Sequence, residues 1–225
     1  LKSIDGPLDD TGAGADITTF RYATSASDYH RPGDLIETEN ALGHITQIRR
    51  HDKYGRATEI IDANGLVTRL HYHPRGWLLS HEVDGNRTNF EYDAIGQLVR
   101  TIYPGGAAID YRYDEAHRLV NISDDFGNQI TYTLDPLGNR IGEDITDPEG
   151  RLVSTIERHY NDFSQLEKLV TTPDGIEQHT TGFRYDGNGS LVEEIDPRDP
   201  NISTELPVPA NPMIATQRVY DALKR

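Results

Sequence analysis

The sequence contains no cysteine, one methionine and one tryptophan among its 225 residues. Without cysteine, the chain cannot form a disulfide, a zinc–thiolate site or a thiol nucleophile. No apolar run approaches the roughly 20 residues of a membrane-spanning helix. Residues 1–16 are polar, glycine-rich and acidic, unlike a signal peptide. These absences exclude a disulfide-stabilised scaffold and leave the redox compartment open.

Positive charge is also scarce. Lysine and arginine number 22 against 37 aspartates and glutamates, which gives a formal charge of −15 at pH 7. Such a surface repels polyanions, so we predict neither a nucleic-acid partner nor a membrane partner. The simplest consequence of this charge is solubility.

Tyrosine, by contrast, is abundant, with 12 residues, and it marks a recurring unit. The clearest copy is Tyr92-Asp93-Ala94-Ile95-Gly96-Gln97-Leu98, which has a β-prone run on each side. Aspartate suits the first turn position because its carboxylate accepts nearby backbone N–H groups. Glycine suits the last position because it enters the left-handed region without a Cβ clash. The unit therefore predicts a β-hairpin with a four-residue turn.

The unit repeats along the chain at a nearly fixed step. Measured at the first turn position, the steps are 73−52 = 21, 93−73 = 20, 114−93 = 21 and 135−114 = 21, and they later lengthen to 26, 25 and 35. A fixed period of this kind predicts a repeat architecture. The predicted structural repeat positions are Asp52, Gly55, Tyr72, Gly76, Tyr92, Asp93, Gly96, Leu98, Tyr113, Asp114, Leu119, Asp135, Gly138, Tyr160, Tyr185, Asp186, Gly189, Tyr220 and Asp221.

The predicted fold class is all-β, with tandem antiparallel hairpins that form a spiralling, twisted sheet. We divide the chain into a lead-in over residues 1–16, a hairpin array over 17–196, a proline-rich loop over 197–213 and a truncated further repeat over 214–225. Five of the twelve prolines lie in 197–212, and proline cannot donate to a strand ladder. The apolar spacing from Phe163 to Val170 leaves a short helix open as an alternative. The turn chemistry predicts positive φ at Gly96 and Gly138, and also at His117, which takes the place of glycine.

The pattern Tyr-Asp-x-x-Gly-x-Leu resembles that of the Rhs, or YD-repeat, proteins. The likeness is strongest from Tyr113 to Arg140, is also seen at Ala41-Leu42-Gly43-His44, and covers about residues 17–196 before it resumes at 219. The resemblance implies hairpins that wind into a hollow shell, which in bacteria encloses a C-terminal toxin. It also implies secretion or display at the cell surface, and delivery to competitors or hosts by an apparatus such as type VI secretion.

The sequence departs from the family pattern at the segment where the family's shell ends. The family's shell ends in a self-cleaving segment built on Asp-Pro-x-Gly-Leu, whereas Asp135-Pro136-Leu137-Gly138 continues with Asn139 and Asp147-Pro148-Glu149-Gly150 continues with Arg151. We therefore assign autoproteolysis to neither stretch. Because the sequence starts at Leu1 and stops inside a repeat at Arg225, we expect it to be a piece of a longer protein.

No motif with a catalytic mechanism is present, such as the Gly-x-Ser-x-Gly elbow of hydrolases. His71 and His73 share a predicted strand face but lack a third ligand at a set spacing. The stretch Asp186–Ser190 is rich in oxygen donors but lacks the glycine and glutamate of a calcium loop. We predict no catalytic, cofactor-binding or metal-binding residues, and a structural shell module whose partners are the rest of the shell and an enclosed toxin. The alternative is a repeat module that binds carbohydrate or protein at a cell surface, which solvent-facing aromatic rows would favour.

Overall fold

The computed structural model describes residues 2–4, 6, 16–173, 175–195 and 215–217. All the regular secondary structure of these residues is β-strand, so the all-β prediction is confirmed. The chain divides into two compact units, Leu1–Ala107 and Ala108–Arg225. The array predicted over residues 17–196 runs through both units.

The described residues of the first unit form nine strands. A two-residue strand in the predicted lead-in opens it, and the array begins one residue later than the predicted start at Ile17. The strands are β1 (Ser3–Ile4), β2 (Thr18–Tyr22), β3 (Leu35–Glu39), β4 (Ile45–His51), β5 (Ala57–Ile61), β6 (Val67–Tyr72), β7 (Leu78–Val83), β8 (Asn86–Tyr92) and β9 (Leu98–Ile102).

The second unit also contains nine strands among the described residues. The apolar run near Phe163, for which a helix was left open, forms a turn followed by β15, as the repeat register predicts. The strands are β10 (Ala108–Tyr113), β11 (Leu119–Asp124), β12 (Gln129–Leu134), β13 (Arg140–Thr146), β14 (Leu152–Tyr160), β15 (Leu166–Thr172), β16 (His179–Tyr185), β17 (Leu191–Ile195) and β18 (Ala215–Gln217).

Within each unit, every strand pairs antiparallel with its neighbour in the chain. The repeat tyrosine ends one strand and faces the repeat leucine that opens the next, as in Tyr92↔Leu98 and Tyr113↔Leu119. A register shift lies directly before each of these tyrosines. Such a bulge strengthens the local twist, which fits a curved rather than a flat hairpin ribbon.

The predicted turns are present with the predicted chirality. The Gly96 N–H donates to the carbonyl of Asp93 (3.2 Å), and the Asp93 N–H donates to the carbonyl of Gln97 (3.0 Å). The φ angles are +100° at Gly96, +90° at Gly138 and +64° at His117. His117 thus adopts the left-handed conformation at a position where most copies carry glycine, which costs about 1–2 kcal/mol relative to glycine.

Side chains in both units are mostly half-buried. Few described residues are buried: Ser80 and Thr101 in the first unit, and Ala108, Tyr132, Val170, Gly182, Glu193 and Ile195 in the second. In each unit the described strands contact only their chain neighbours. Cohesion therefore depends on joints between successive hairpins rather than on a deep core.

Some predictions fall outside the described residues. Tyr220, Asp221 and the proline-rich loop at 197–213 are among them. In the predicted further repeat, β18 pairs antiparallel with β17. Within the described part of the chain, no helix has the length and apolar character needed to span a bilayer.

Candidate functional site

The sites predicted from the repeat meet along one edge of each unit. We call this row of turns the turn ladder. It comprises Asp52–Gly55, His73–Gly76 and Asp93–Gly96 in the first unit, and Asp114–His117, Asp135–Gly138, Asn161–Ser164 and Asp186–Gly189 in the second.

The first residue of each turn organises its backbone. Asp93 Oδ1 accepts the N–H groups of Ile95 (3.0 Å), Gly96 (2.8 Å) and Gln97 (2.9 Å). Asp186 Oδ1 likewise accepts those of Asn188 (2.9 Å) and Ser190 (2.8 Å). These carboxylates therefore serve the turn itself, which accounts for aspartate at this position.

The same contacts favour the charged form of the carboxylates. The backbone N–H and then the side chain of Arg118 donate to Asp114 and hold the pKa of its carboxyl below the ordinary value. Desolvation opposes this effect at Asp52 and Asp135. There the hydrogen bonds from Arg56 and from Asn139 outweigh it, and each pKa is still lowered.

The residue four positions after the first turn residue links one turn to the next. Arg118 Nε donates to Asp114 Oδ2 (2.8 Å), while Nη1 of the same side chain donates to the carbonyl of Asp135 in the next turn (2.9 Å). Arg56 bridges Asp52 and the carbonyl of His73 in the same way, at 2.7 and 3.1 Å.

Neutral side chains take this linking role later in the second unit. Asn139 Nδ2 contacts Ser164 Oγ at 3.3 Å, and Gln165 Nε2 donates to the carbonyl of Gly189 at 3.4 Å. Sequence reasoning missed this position. The signal that could have found it is the recurrence of a long polar side chain directly after the turn glycine.

The repeat tyrosines tie neighbouring strands together. The hydroxyl of Tyr92 donates to the carbonyl of Leu78 (2.9 Å), and that of Tyr185 donates to the carbonyl of Leu166 (2.9 Å). Each acceptor is the first residue of the preceding strand. The Tyr160 hydroxyl makes a longer bond of the same kind to Arg140 (3.3 Å). Desolvation raises the pKa of Tyr92 and of Tyr185.

Other repeat positions make stacking and packing contacts. Tyr72 lies beneath the guanidinium of Arg56, 4.7 Å from the ring centroid. A Cβ added at Gly96 would lie 2.6 Å from the ring of Trp77. Trp77 itself stacks on His73 (4.8 Å between ring centroids) and tilts against Tyr92 (5.5 Å). The ladder thus combines turn, stacking and strand-to-strand contacts.

One residue from each of the two metal patterns considered in the sequence, His73 and Asp186, organises a turn. Nδ1 of His73 accepts the Arg75 N–H (3.1 Å), and Asp186 is the turn organiser described above. Another group, which sequence reasoning missed, brings His30, Asp34 and His51 together with their ligand atoms within 4.8 Å of one another. Desolvation lowers the pKa of His51, and this effect outweighs the opposing charge of Asp34.

A cleft of about 690 Å³ lies beside the last two rungs of the ladder in the second unit. Its walls include Asn161, Phe163, Glu167, Phe183 and Tyr185. Phe163 is 84% exposed, so an aromatic ring faces solvent here next to amide and carboxylate groups. This combination suits a polar ligand with apolar faces better than a purely apolar one.

The strand order and the ladder define a tandem β-hairpin repeat protein. Residues 51–88, 92–129 and 113–152 match the sequence family described as RHS Repeat. This part of the chain therefore belongs to the RHS-repeat family.

Two curated relatives have names that describe nucleases. The chain is 30% identical over 196 residues to the "Probable deoxyribonuclease RhsA" of Dickeya dadantii, a match that covers 84% of the chain and 12% of that protein. It is 27% identical over 123 residues to the "tRNA nuclease WapA" of Bacillus subtilis, which covers 52% of the chain and 5% of that protein. The chain therefore spans only a small part of either relative.

Solved structures share the fold at low identity. The structure titled TcdB2-TccC3 has a TM-score of 0.70 at 14% identity, over 87% of the chain and 11% of that protein. A second structure, titled TcdB2-TccC3-TEV, has a TM-score of 0.60 at 15% identity, over 97% of the chain and 14% of that protein. At such identities the likeness concerns the fold alone.

Proposed function

We propose that the chain is a non-catalytic section of the wall of an Rhs-type toxin shell. This wall encloses a C-terminal toxin within the same protein until the toxin is delivered. The protein is exported from a bacterium, and its partners are the remaining wall, the enclosed toxin and a delivery apparatus. The observation that carries the proposal is the turn ladder, in which the repeated polar side chains bind neighbouring turns and strands.

The contacts of these polar atoms support a structural role. An enzyme needs titratable groups that converge on a substrate with free donors or acceptors. Here the repeated aspartates accept their own turn N–H groups, and the repeated tyrosine hydroxyls donate to backbone carbonyls of the adjacent strand. The nuclease names of the relatives, which are far longer than this chain, fit a toxin that lies elsewhere in the protein.

The containment proposal is tested on the complete protein that includes this chain. We expect the toxin domain to resist a nonspecific protease while the wall is intact. Gly96→Val and Gly65→Val both place a β-branched residue at positive φ, but only the first drives a side chain into Trp77. Gly96→Val should therefore expose the toxin to cleavage more than Gly65→Val, which has open space around its Cβ. Equal cleavage of the toxin in the unaltered protein and in Gly96→Val would refute containment.

The non-catalytic part of the proposal has a separate test. We expect the 225-residue chain alone to leave duplex DNA and tRNA intact. The complete protein, once its toxin is released, should degrade its own substrate. Cleavage of either nucleic acid by the chain alone, at a rate that scales with its concentration through purification, would contradict this assignment.

The cleft beside Phe163 supports a second candidate function, the binding of a surface glycan. Exposed aromatic faces next to amide and carboxylate groups form the usual chemistry of a sugar site. We expect Phe163→Ala to abolish binding on a glycan array if this function holds, while Phe126→Ala, which removes another exposed turn-tip ring, leaves binding unchanged. Failure of the unaltered chain to bind any glycan would exclude it.

A further inference from the structure

The segment between β2 and β3 departs from the four-residue turn of the repeat. It runs from Ala23 to Asp34 and folds back on the end of β4. The Ala23 N–H donates to the Asp34 carbonyl (2.8 Å), and the His51 N–H donates to the Tyr29 carbonyl (2.9 Å). The guanidinium of Arg50 lies over the Tyr29 ring, 4.5 Å from its centroid. This segment is therefore fixed to β4 by both backbone and side-chain contacts.

Two imidazoles and one carboxylate converge where the segment meets β4. Nδ1 of His30 lies 3.1 Å from Nδ1 of His51, and Nδ1 of His51 lies 3.9 Å from Oδ2 of Asp34. The side chain of His51 is 5% exposed and that of Asp34 is 16% exposed. The side chains of His51 and Asp34 are therefore shielded from most of the solvent, but both keep some access to it.

These separations match the needs of a tetrahedral metal ion. Zinc–imidazole bonds of about 2.0–2.1 Å at a tetrahedral angle place two ligand nitrogens about 3.3 Å apart. The observed 3.1 Å between the two Nδ1 atoms is close to that value, and the carboxylate oxygen lies near enough to complete a third bond. We propose that His30, Asp34 and His51 bind one divalent ion of the zinc type.

The ligands are held in place before any ion arrives. The His30 N–H donates to Ser27 Oγ (3.0 Å), which fixes the backbone that carries the imidazole. The Arg31 N–H donates to Asp34 Oδ2 (2.7 Å), which orients the carboxylate. Such support reduces the ordering that binding requires.

The surroundings leave room for a fourth ligand. A cleft of about 240 Å³ adjoins the three residues, and its lining includes Asp28 and Asp34 beside Arg31 and Lys53. Asp52, also in the lining, is paired with Arg56. A water molecule in this cleft would complete the coordination, as in other three-ligand zinc sites. An ion bound here would attach the 23–34 segment to β4.

Two of the ligands come from the irregular segment, and the third ends a regular strand. His51 ends β4 opposite Ala57, the register position that Tyr22 holds opposite Leu35 at the end of β2. His30 and Asp34 belong to the 23–34 segment, which the bond from the His51 N–H to the Tyr29 carbonyl holds against the end of β4.

The test is a titration of the whole chain, stripped of metal with a chelator, with zinc chloride in a calorimeter. We expect saturation at one ion per chain and a rise in the melting temperature with zinc. Substituting cobalt should give the intense visible absorption of a tetrahedral ion. His30→Gln and Asp34→Asn, which preserve polarity and approximate size, should each weaken zinc binding by at least about tenfold.

A matched control separates this site from general histidine binding. His71→Gln alters another strand histidine of the same unit, outside the proposed site, and should leave zinc affinity unchanged. The alternative to a metal site is a direct hydrogen bond between the two imidazoles. That alternative predicts no saturable zinc binding by the unaltered chain, and a lower melting temperature for His30→Gln whether or not zinc is present. Either that result, or equal zinc affinity in His71→Gln and Asp34→Asn, would overturn the proposal.

Discussion

The bond from Arg118 to the next turn offers a sharp test of the turn ladder, because the chain contains a matched arginine. Arg151 donates through Nε to Asp147 Oδ2 (2.7 Å), just as Arg118 donates to Asp114 Oδ2 (2.8 Å). Both pairs have the same four-residue spacing. Among the described residues, Arg118 alone of the two makes a bond to another turn, at the Asp135 carbonyl. The second partner of Arg151 is Glu149, in its own turn.

The expected difference follows from this one bond. Arg118→Ala and Arg151→Ala both lose an aspartate–arginine pair, so that loss largely cancels between them. A hydrogen bond from a charged donor to a carbonyl contributes about 1.5–3 kcal/mol. The Asp135 carbonyl keeps the Gly138 N–H as a partner, and the Arg118 side chain is 36% exposed. Both facts reduce the expected difference to about 1 kcal/mol, or about 2–4 °C in melting temperature for a chain of this length.

Two measurements check this prediction. Thermal unfolding followed by circular dichroism should show the lower melting temperature for Arg118→Ala. Hydrogen exchange should show faster exchange at residues 135–139 in Arg118→Ala but not in Arg151→Ala. Equal melting temperatures with unchanged exchange at 135–139 would show that the inter-turn bond contributes nothing to stability, and the ladder would then be a geometric coincidence.

Three further outcomes are expected. Gly96→Ala should destabilise the first unit by about 1–3 kcal/mol more than Gly65→Ala, because both positions have positive φ but only Gly96 faces the Trp77 ring. Fluorescence of the single tryptophan during urea unfolding measures the difference in unfolding free energy. Equal losses of stability in the two variants would contradict the prediction. Tyr92→Phe should lower the free energy of unfolding by about 1 kcal/mol through loss of the bond to Leu78, whereas Tyr54→Phe, at an exposed turn-tip position, should be neutral in the same assay. Folding lowers the carboxyl pKa of four turn aspartates: Asp114, Asp124, Asp135 and Asp147. Their contribution to stability is therefore complete above the unfolded pKa of about 4 and is lost as pH falls through the folded values. A urea midpoint that does not decrease when the pH is lowered from 6 to 3 would refute this.

The sequence by itself determined the repeat and the sign of φ in its turns. Aspartate and glycine at fixed offsets permit only a few turn conformations, so the four-residue turns and the positive φ at Gly96, Gly138 and His117 followed from local sterics. Alternation between turns set the strand faces, and the 21-residue step set the antiparallel order. These features depend on residues close in the chain, whose geometry the backbone limits.

Only the tertiary structure decided which side chains meet between hairpins. The bond from Arg118 to the Asp135 carbonyl spans 17 residues, and that from Tyr92 to Leu78 spans 14. Their existence depends on register and bulges as well as on residue type. The packing of Trp77 against Gly96 and the convergence of His30, Asp34 and His51 likewise require strand pairing to bring distant positions together. Sequence patterns restrict each hairpin, whereas the contacts between hairpins arise from twist and register, which are set by the packed units as a whole.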